Sequence, residues 1–249
     1  MQKENFKKGI YVLPNLFTSM NIFCGFFAIV SAIDQRFVDA SIAILIGGIF
    51  DLLDGKIARA TKTTSRFGVE YDSLADLISF GLAPALVMYL WVLKPLGRLG
   101  WLAGFLFMIC GALRLARFNT MAAGNTGSSS HFQGLPIPAA AGMNVSIILF
   151  FSRFNIDPDP YRFVILVMLY ITSFLMVSSI KYNSFKNAGL FRSMKFNKLV
   201  AIVLVLVALA YEPYVALFVG TLIYIVSGPV MFLFFMSHHH REDEETEIG

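Results

Sequence analysis

Four carboxylates recur at short intervals where the chain is otherwise apolar: Asp51, Asp54, Asp72 and Asp76. The first two are spaced i, i+3 and the last two i, i+4, so on helices each pair falls on one face. Residues 40–50 before them and 77–87 after them are almost wholly apolar. An ionisable group in a membrane segment costs roughly 2.5–3.5 kcal/mol on insertion scales and marks a functional site by default. Four converging carboxylates repel unless protons or cations neutralise them. Hard divalent ions take oxygen ligands, and Mg²⁺ keeps several waters and binds substrate phosphates. Asp51, Asp54, Asp72 and Asp76 therefore suit a two-metal site that clamps a phosphate. A plainer reading pairs them with Lys56, Arg59, Lys62 and Arg66 in a solvated loop. It leaves the apolar flank of Asp51 and Asp54 unexplained, and the spacing of Gly55, Ala58 and Gly68 too.

The elements that carry these residues follow from composition. The chain is 57% hydrophobic and 14% charged, with mean hydropathy +0.68, against about 45–50% and 25% in soluble domains. An all-α, polytopic integral membrane bundle is expected. Spans need about 20 mostly apolar residues, and about eight are expected, at 14–33, 38–60, 73–93, 99–118, 136–152, 162–180, 198–212 and 214–236. The first six form a catalytic core in residues 1–197. Residues 198–236 form a further helix pair, turned at Pro213, and 237–249 a disordered tail. Six full spans plus a re-entrant pair is the alternative. The apolar run after Pro14 lacks a cleavage site and reads as a retained helix. Cys24 and Cys110 lie in apolar runs and suggest neither a disulfide nor a zinc site.

Orientation follows the lysines and arginines. With the N-terminus inside, only Arg36, Lys94, Arg98, Arg153 and Arg162 of the 20 fall outside. Both termini are then cytoplasmic, and so is the carboxylate cluster. The net charge of +4 gives no nucleic-acid-binding domain. Basic and aromatic residues interleave over 181–198, which suits anionic lipid headgroups. His131 receives no chemistry; the tail histidines His238, His239 and His240 could catch a metal, but the acidic run after them reads as a plain solvated tail.

Several further residues could line a ligand. Asn15, Thr18 and Asn21 step by three along the first span. They either bond neighbouring helices or form a polar wall. Gly55, Ala58 and Gly68 leave room for close approach of a ligand or of another helix. Residues 60–71 read as a short polar connection. Arg114 and Arg117, with Asn119 beside them, are either interfacial anchors or an anion clamp, since guanidinium binds phosphate or carboxylate through paired hydrogen bonds. A Gly/Ser-rich loop follows over 119–134.

The pattern Asp-x2-Asp-Gly-x2-Ala-Arg-x8-Gly-x3-Asp-x3-Asp, complete from Asp51 to Asp76, resembles the signature of the CDP-alcohol phosphotransferase family. Arg-x2-Arg-Phe-Asn from Arg114 to Asn119, and Phe-Gln-Gly-Leu-Pro-Ile-Pro-Ala-Ala-Ala-Gly from Phe132 to Gly142, resemble its serine-accepting branch. The resemblance implies phosphatidyl transfer from CDP-diacylglycerol to L-serine with release of CMP, two Mg²⁺ or Mn²⁺ ions, and a homodimer in the inner membrane. It implies Asp76 as base for the serine hydroxyl and Arg59, more than Lys56, as the added positive charge. Gly55, Ala58 and Gly68 would leave room for the cytidine, with Asn15 and Thr18 near the nucleotide. Arg114, Arg117 and Asn119 are candidates for the serine carboxylate or the lipid phosphate. Three rivals stay open. The family chemistry could use glycerol phosphate, inositol phosphate, choline or an archaeal ether-lipid donor. A divalent cation transporter or a non-catalytic scaffold are the others.

Overall fold

A computed structural model describes residues 2–61, 65–123, 132–182 and 210–247, and positions 200, 204 and 207. The helices are α1 (Gln2–Ile33), α2 (Phe37–Ala60), α3 (Arg66–Leu96), α4 (Arg98–Ala123), α5 (Ile137–Arg153), α6 (Arg162–Val177) and α7 (Pro213–Glu247). Two-residue strands β1 (Phe132–Gln133) and β2 (Lys181–Tyr182) pair antiparallel. They pin the approach to α5 against the exit from α6. The chain is an all-α polytopic bundle, as composition requires.

Long apolar helices in a bilayer hide only the stripe that meets other helices. Phe23, Phe26, Phe163 and Ile223 are all more than 60% exposed, which suits a lipid-facing surface. The centre is α5, where Ala140, Ala141 and Met143 through Leu149 are buried.

The helices reverse direction tightly at one end. Gln35 (φ 62°) and Asn155 (φ 50°) turn α1 into α2 and α5 into α6, and Gly97 (φ 57°) turns α3 into α4. Left-handed backbone is a few-per-cent conformation for residues with a Cβ, so these reversals are tightly specified. The helix ends at Ala60, Ala123 and Val177 lie at the other end, with the carboxylates.

Five stretches are long and apolar enough to cross a membrane: Leu13–Ile33, Arg66–Leu96, Arg98–Met121, Asp159–Val177 and Pro213–Phe232. The expected second span is a 24-residue helix, but Asp39, Asp51 and Asp54 make it too charged to join them. The expected fifth is the 17-residue α5. Most of 198–212 lies outside the described residues, as do Lys62, His131 and most of the basic-aromatic stretch.

Other boundaries move for local reasons. Pro14 is inside α1, not at its start. The third helix begins at Arg66, not 73, because Ser65 caps it: its Oγ accepts from the Gly68 N–H at 3.0 Å. Gly68 and Tyr71 are therefore helical, and the polar connection is shorter than expected. Asn119 is helical as well, since α4 runs on to Ala123. The sixth helix stops at Val177 rather than 180. The expected tail is written as helix to Glu247; its Glu and Arg residues are good helix formers.

Immediately after Asp76 the backbone of α3 widens into a π-helical turn, Leu77–Leu82. Pro84 follows. It has no N–H to give and its ring crowds the carbonyl four residues back, so the wider turn accommodates it; such turns recur at functional sites. The turn presses Ser79 against Gly25 of α1, and the Ser79 hydroxyl donates to the Asn21 carbonyl at 2.8 Å. A Cβ on Gly25 would lie 2.5 Å from Ser79 Oγ and 2.9 Å from its Cα. Gly25→Ala should therefore destabilise the bundle by about 1–3 kcal/mol through overpacking. Thermal unfolding in detergent checks this, and an unchanged midpoint would show that the contact is not tight.

Candidate active site

Two helix ends and one helix start build the site. The C-terminal half of α2 carries Asp51, Asp54, Gly55, Ala58 and Arg59; the first turns of α3 carry Gly68, Asp72 and Asp76. Oxygen atoms of Asp51, Asp72 and Asp76 lie within 4.8 Å of one another. Asp76 faces Asp51 at hydrogen-bonding range. Oδ1 of Asp72 and Oδ1 of Asp76 are buried without a hydrogen-bond partner. A buried carboxylate oxygen left unpaired costs free energy. A divalent cation that takes carboxylate oxygens would meet both orphaned atoms and cancel the repulsion, so the residues fit a metal centre.

Asp54 takes a different position. It is 4% exposed and its Oδ2 accepts from the Thr18 hydroxyl at 2.9 Å. That hydroxyl also lies 3.1 Å from the Pro14 carbonyl. It has one proton, and the charged acceptor makes the stronger bond. Thr18 thus orients Asp54 and joins α1 to the site. Asp72 stands between the two groups, with both Asp54 and Asp51 as electrostatic neighbours.

Asp54 and Asp72 open onto a cavity of about 160 Å³, lined also by Pro14, Asn15, Thr18, Gly55, Ala58, Arg59, Ser65, Gly68 and Val69. Arg59 is an electrostatic neighbour of Asp54 and Asp72. Its guanidinium lies over Gly55, where a Cβ would be 3.3 Å from Nη1. At Gly68 a Cβ would come 3.2 Å from the Ser65 hydroxyl oxygen. The two glycines thus let an arginine and a helix cap close around the space. Lys56 is exposed and does not line it.

The α4 residues divide. Arg114 is 6% exposed, its Nε has no hydrogen-bond partner, and Asp76 is among its electrostatic neighbours. Arg117 instead donates to the carbonyls of Val177 at 3.2 Å and Ser178 at 3.4 Å. It caps the C-terminus of α6, where unpaired carbonyls need donors. Asn119 donates to Ser73 at 2.9 Å and Glu70 at 3.2 Å, tying α4 to α3. Arg114 is thus the α4 residue turned toward the carboxylates, and the other two hold the helices around it.

Ser65 and the Ser19–Tyr71 pair escape a reading of the chain by motif. Ser65 caps α3 and lines the cavity; a serine three residues before Gly68 was its signal. Ser19 and Tyr71 meet at 2.9 Å, with Tyr71 stacked on Phe67; nothing local marks that pair. Asn21 is fully buried, and its side-chain amide finds no partner.

The sequence profile of the CDP-alcohol phosphatidyltransferases matches residues 11–178. The CDP-diacylglycerol–serine O-phosphatidyltransferase of Helicobacter pylori is 40% identical over 229 residues, 91% of this chain and 93% of that one. The archaetidylserine synthase of Methanothermobacter thermautotrophicus is 38% identical over 172 residues, 68% of this chain and 69% of its own. The CDP-diacylglycerol–serine O-phosphatidyltransferase of Methanocaldococcus jannaschii is 33% identical over 180 residues, 72% and 78% of the two chains.

Removing the hydroxyl that orients Asp54 tests the geometry directly. Thr18→Val should weaken Mn²⁺ binding by about tenfold, the lower end for residues that orient metal ligands. Titration calorimetry on the purified protein reads this, and unaltered affinity would free Asp54 from Thr18.

Proposed function

The chain belongs to the CDP-alcohol phosphatidyltransferase family, and we propose that its reaction is phosphatidyl transfer from CDP-diacylglycerol to L-serine, with release of CMP. The observation that carries this is the carboxylate group Asp51, Asp72 and Asp76 beside a cavity walled by Asp54, Gly55, Arg59 and Gly68. It stands in a chain 40% identical, over nearly its whole length, to an enzyme named for that reaction. Asp51, Asp54, Asp72 and Asp76 would hold two divalent ions, Mg²⁺ or Mn²⁺, which when bound supply Lewis-acid stabilisation of the diphosphate and of the departing CMP.

The chain's own residues do the rest. Arg59, with Gly55 and Gly68 giving it room, faces the nucleotide phosphate and adds fixed positive charge where negative charge develops. Asn15, Thr18 and Ala58 line the same cavity and border the nucleotide. Arg114 binds the serine carboxylate and brings the hydroxyl beside Asp76. The serine oxygen forms a bond to the phosphatidyl phosphorus, the bond from that phosphorus to the CMP oxygen breaks, and the hydroxyl proton passes to Asp76. Proton transfer from an alcohol to a carboxylate is uphill, so positioning must contribute much of the rate.

The acyl chains of the donor lie between helices in the bilayer, and the site faces the cytoplasm by the charge bias. The carboxylates gather at one end of the bundle, opposite the reversals at Gln35, Gly97 and Asn155, which suits catalysis at a surface and not a pathway across the membrane. One relative is named archaetidylserine synthase, so an ether-lipid donor is the second reading.

The experiment is CMP release from liposomes containing purified protein, with CDP-diacylglycerol or its ether-lipid counterpart. Serine, glycerol phosphate, inositol phosphate and choline serve in turn as acceptor. Serine alone should support turnover, EDTA should abolish it, and Mg²⁺ or Mn²⁺ should restore it. Asp76→Asn should lower turnover by about 10²–10⁴-fold, the usual contribution of a positioned base. Full turnover after metal removal, or release with another alcohol and none with serine, would overturn the proposal.

A further inference from the structure

Asn21 of α1 has a side chain that the metal-ligand set and the cavity leave unused. It is fully buried, and neither Oδ1 nor Nδ2 has a hydrogen-bond partner among the described residues. A buried carboxamide left unpaired costs free energy on both atoms. Polar side chains in membrane helices commonly bond a neighbouring helix, yet this amide bonds none among the described residues. Its burial calls for another group.

Three contacts place the amide. Thr18, one turn earlier on α1, donates to Asp54 of α2 at 2.9 Å. A Cβ on Gly47 of α2 would lie 3.0 Å from Asn21 Oδ1 and 3.3 Å from Cys24 Cβ. The two helices run antiparallel, so Asn21 falls between the rungs at Asp54 and Gly47, level with Asp51. On the other side, the Ser79 hydroxyl of α3 donates to the Asn21 carbonyl at 2.8 Å. Asp51 comes four residues after Gly47 and Asp76 three before Ser79, and residues so spaced are neighbours about 5–6 Å apart on one helix face. Asn21 therefore stands beside the group Asp51, Asp72 and Asp76, wedged between the helices that carry it. It does not line the cavity.

A carboxamide offers an acceptor oxygen and a donor nitrogen at once, and it is neutral. It can donate to a carboxylate without adding charge to a crowded acidic site. Mg²⁺ keeps several of its waters, and those waters are donors that need acceptors. We propose that Asn21 is a positioning residue of the metal centre, its Nδ2 donating to Asp51 and its Oδ1 accepting from a water carried by the ion. This rests on the divalent-metal reading above. Thr18 and Asn21 then brace the two aspartates of α2 from one face of α1, and Gly47 leaves the space the amide needs.

The test uses the full-length protein in detergent, with Mn²⁺ titration calorimetry and thermal unfolding of the metal-free protein. Asn21→Leu keeps the number and branching of side-chain heavy atoms and removes the hydrogen bonding. Asn21→Ala removes the amide without risk of crowding. Both should bind Mn²⁺ about 10–100-fold more weakly, the usual loss when a group that orients a metal ligand is removed. Without metal, at least one of the two should unfold at or above the wild-type midpoint, because an unpaired buried amide has been replaced by an apolar group. Wild-type Mn²⁺ affinity in either variant would overturn the assignment. So would weaker binding with both metal-free midpoints below wild type, which is what an asparagine that merely holds helices together gives. If wild-type protein itself binds no Mn²⁺, the metal reading falls and takes this role with it. If wild type binds and the variants bind equally well, the role of Asn21 alone is lost.

Discussion

Mutual repulsion among carboxylates is the constraint around which the bundle is arranged. Asp51, Asp72 and Asp76 stand within 4.8 Å of one another. Each unneutralised pair would cost on the order of 3–4 kcal/mol at an effective dielectric constant of about 20. Whole domains are stable by only about 5–15 kcal/mol. Such a site persists only where the helices bearing it are held from several sides. α1 supplies Thr18 to Asp54 and takes the Ser79 bond. α4 reaches α3 through Asn119 and grips the end of α6 through Arg117. All of these ties are polar; the two from α1 are buried and the two from α4 part-buried, so water competes least for the first two.

The two ends of the bundle do different work. One end has tight reversals at Gln35, Gly97 and Asn155, each with positive φ. They fix neighbouring helices in register. The other end has the capped start of α3 and the wide turn after Asp76. A helix that departs from regular geometry directly after a reactive carboxylate can aim that carboxylate independently of the rest of the span. Pro84 makes the departure obligatory.

The carboxylate group was legible in the sequence because spacings of three and four hold on any helix, so Asp51, Asp54, Asp72 and Asp76 had to face common ground. The split between Asp54 and the other three was not legible, since it depends on Thr18 arriving from α1. The start of α3 was hidden because Arg66, Gly68 and Glu70 interrupt Phe67, Val69 and Tyr71 there, although Ser65 is a good cap. Arg114 and Arg117 look alike along the chain, and only the position of the α6 C-terminus separates them. α2 was legible as a helix although it carries Asp39, Asp51 and Asp54, because the run over residues 40–50 is almost wholly apolar.

The centrality of α5 has a bearing on biosynthesis. A polytopic chain enters the bilayer from the ribosome in sequence order, so α5 arrives before α6 and α7 exist to sheathe it. Ser146 and Phe150, which end up against Thr221 and Phe218, first meet acyl chains. Final packing must therefore wait for the last helix to emerge.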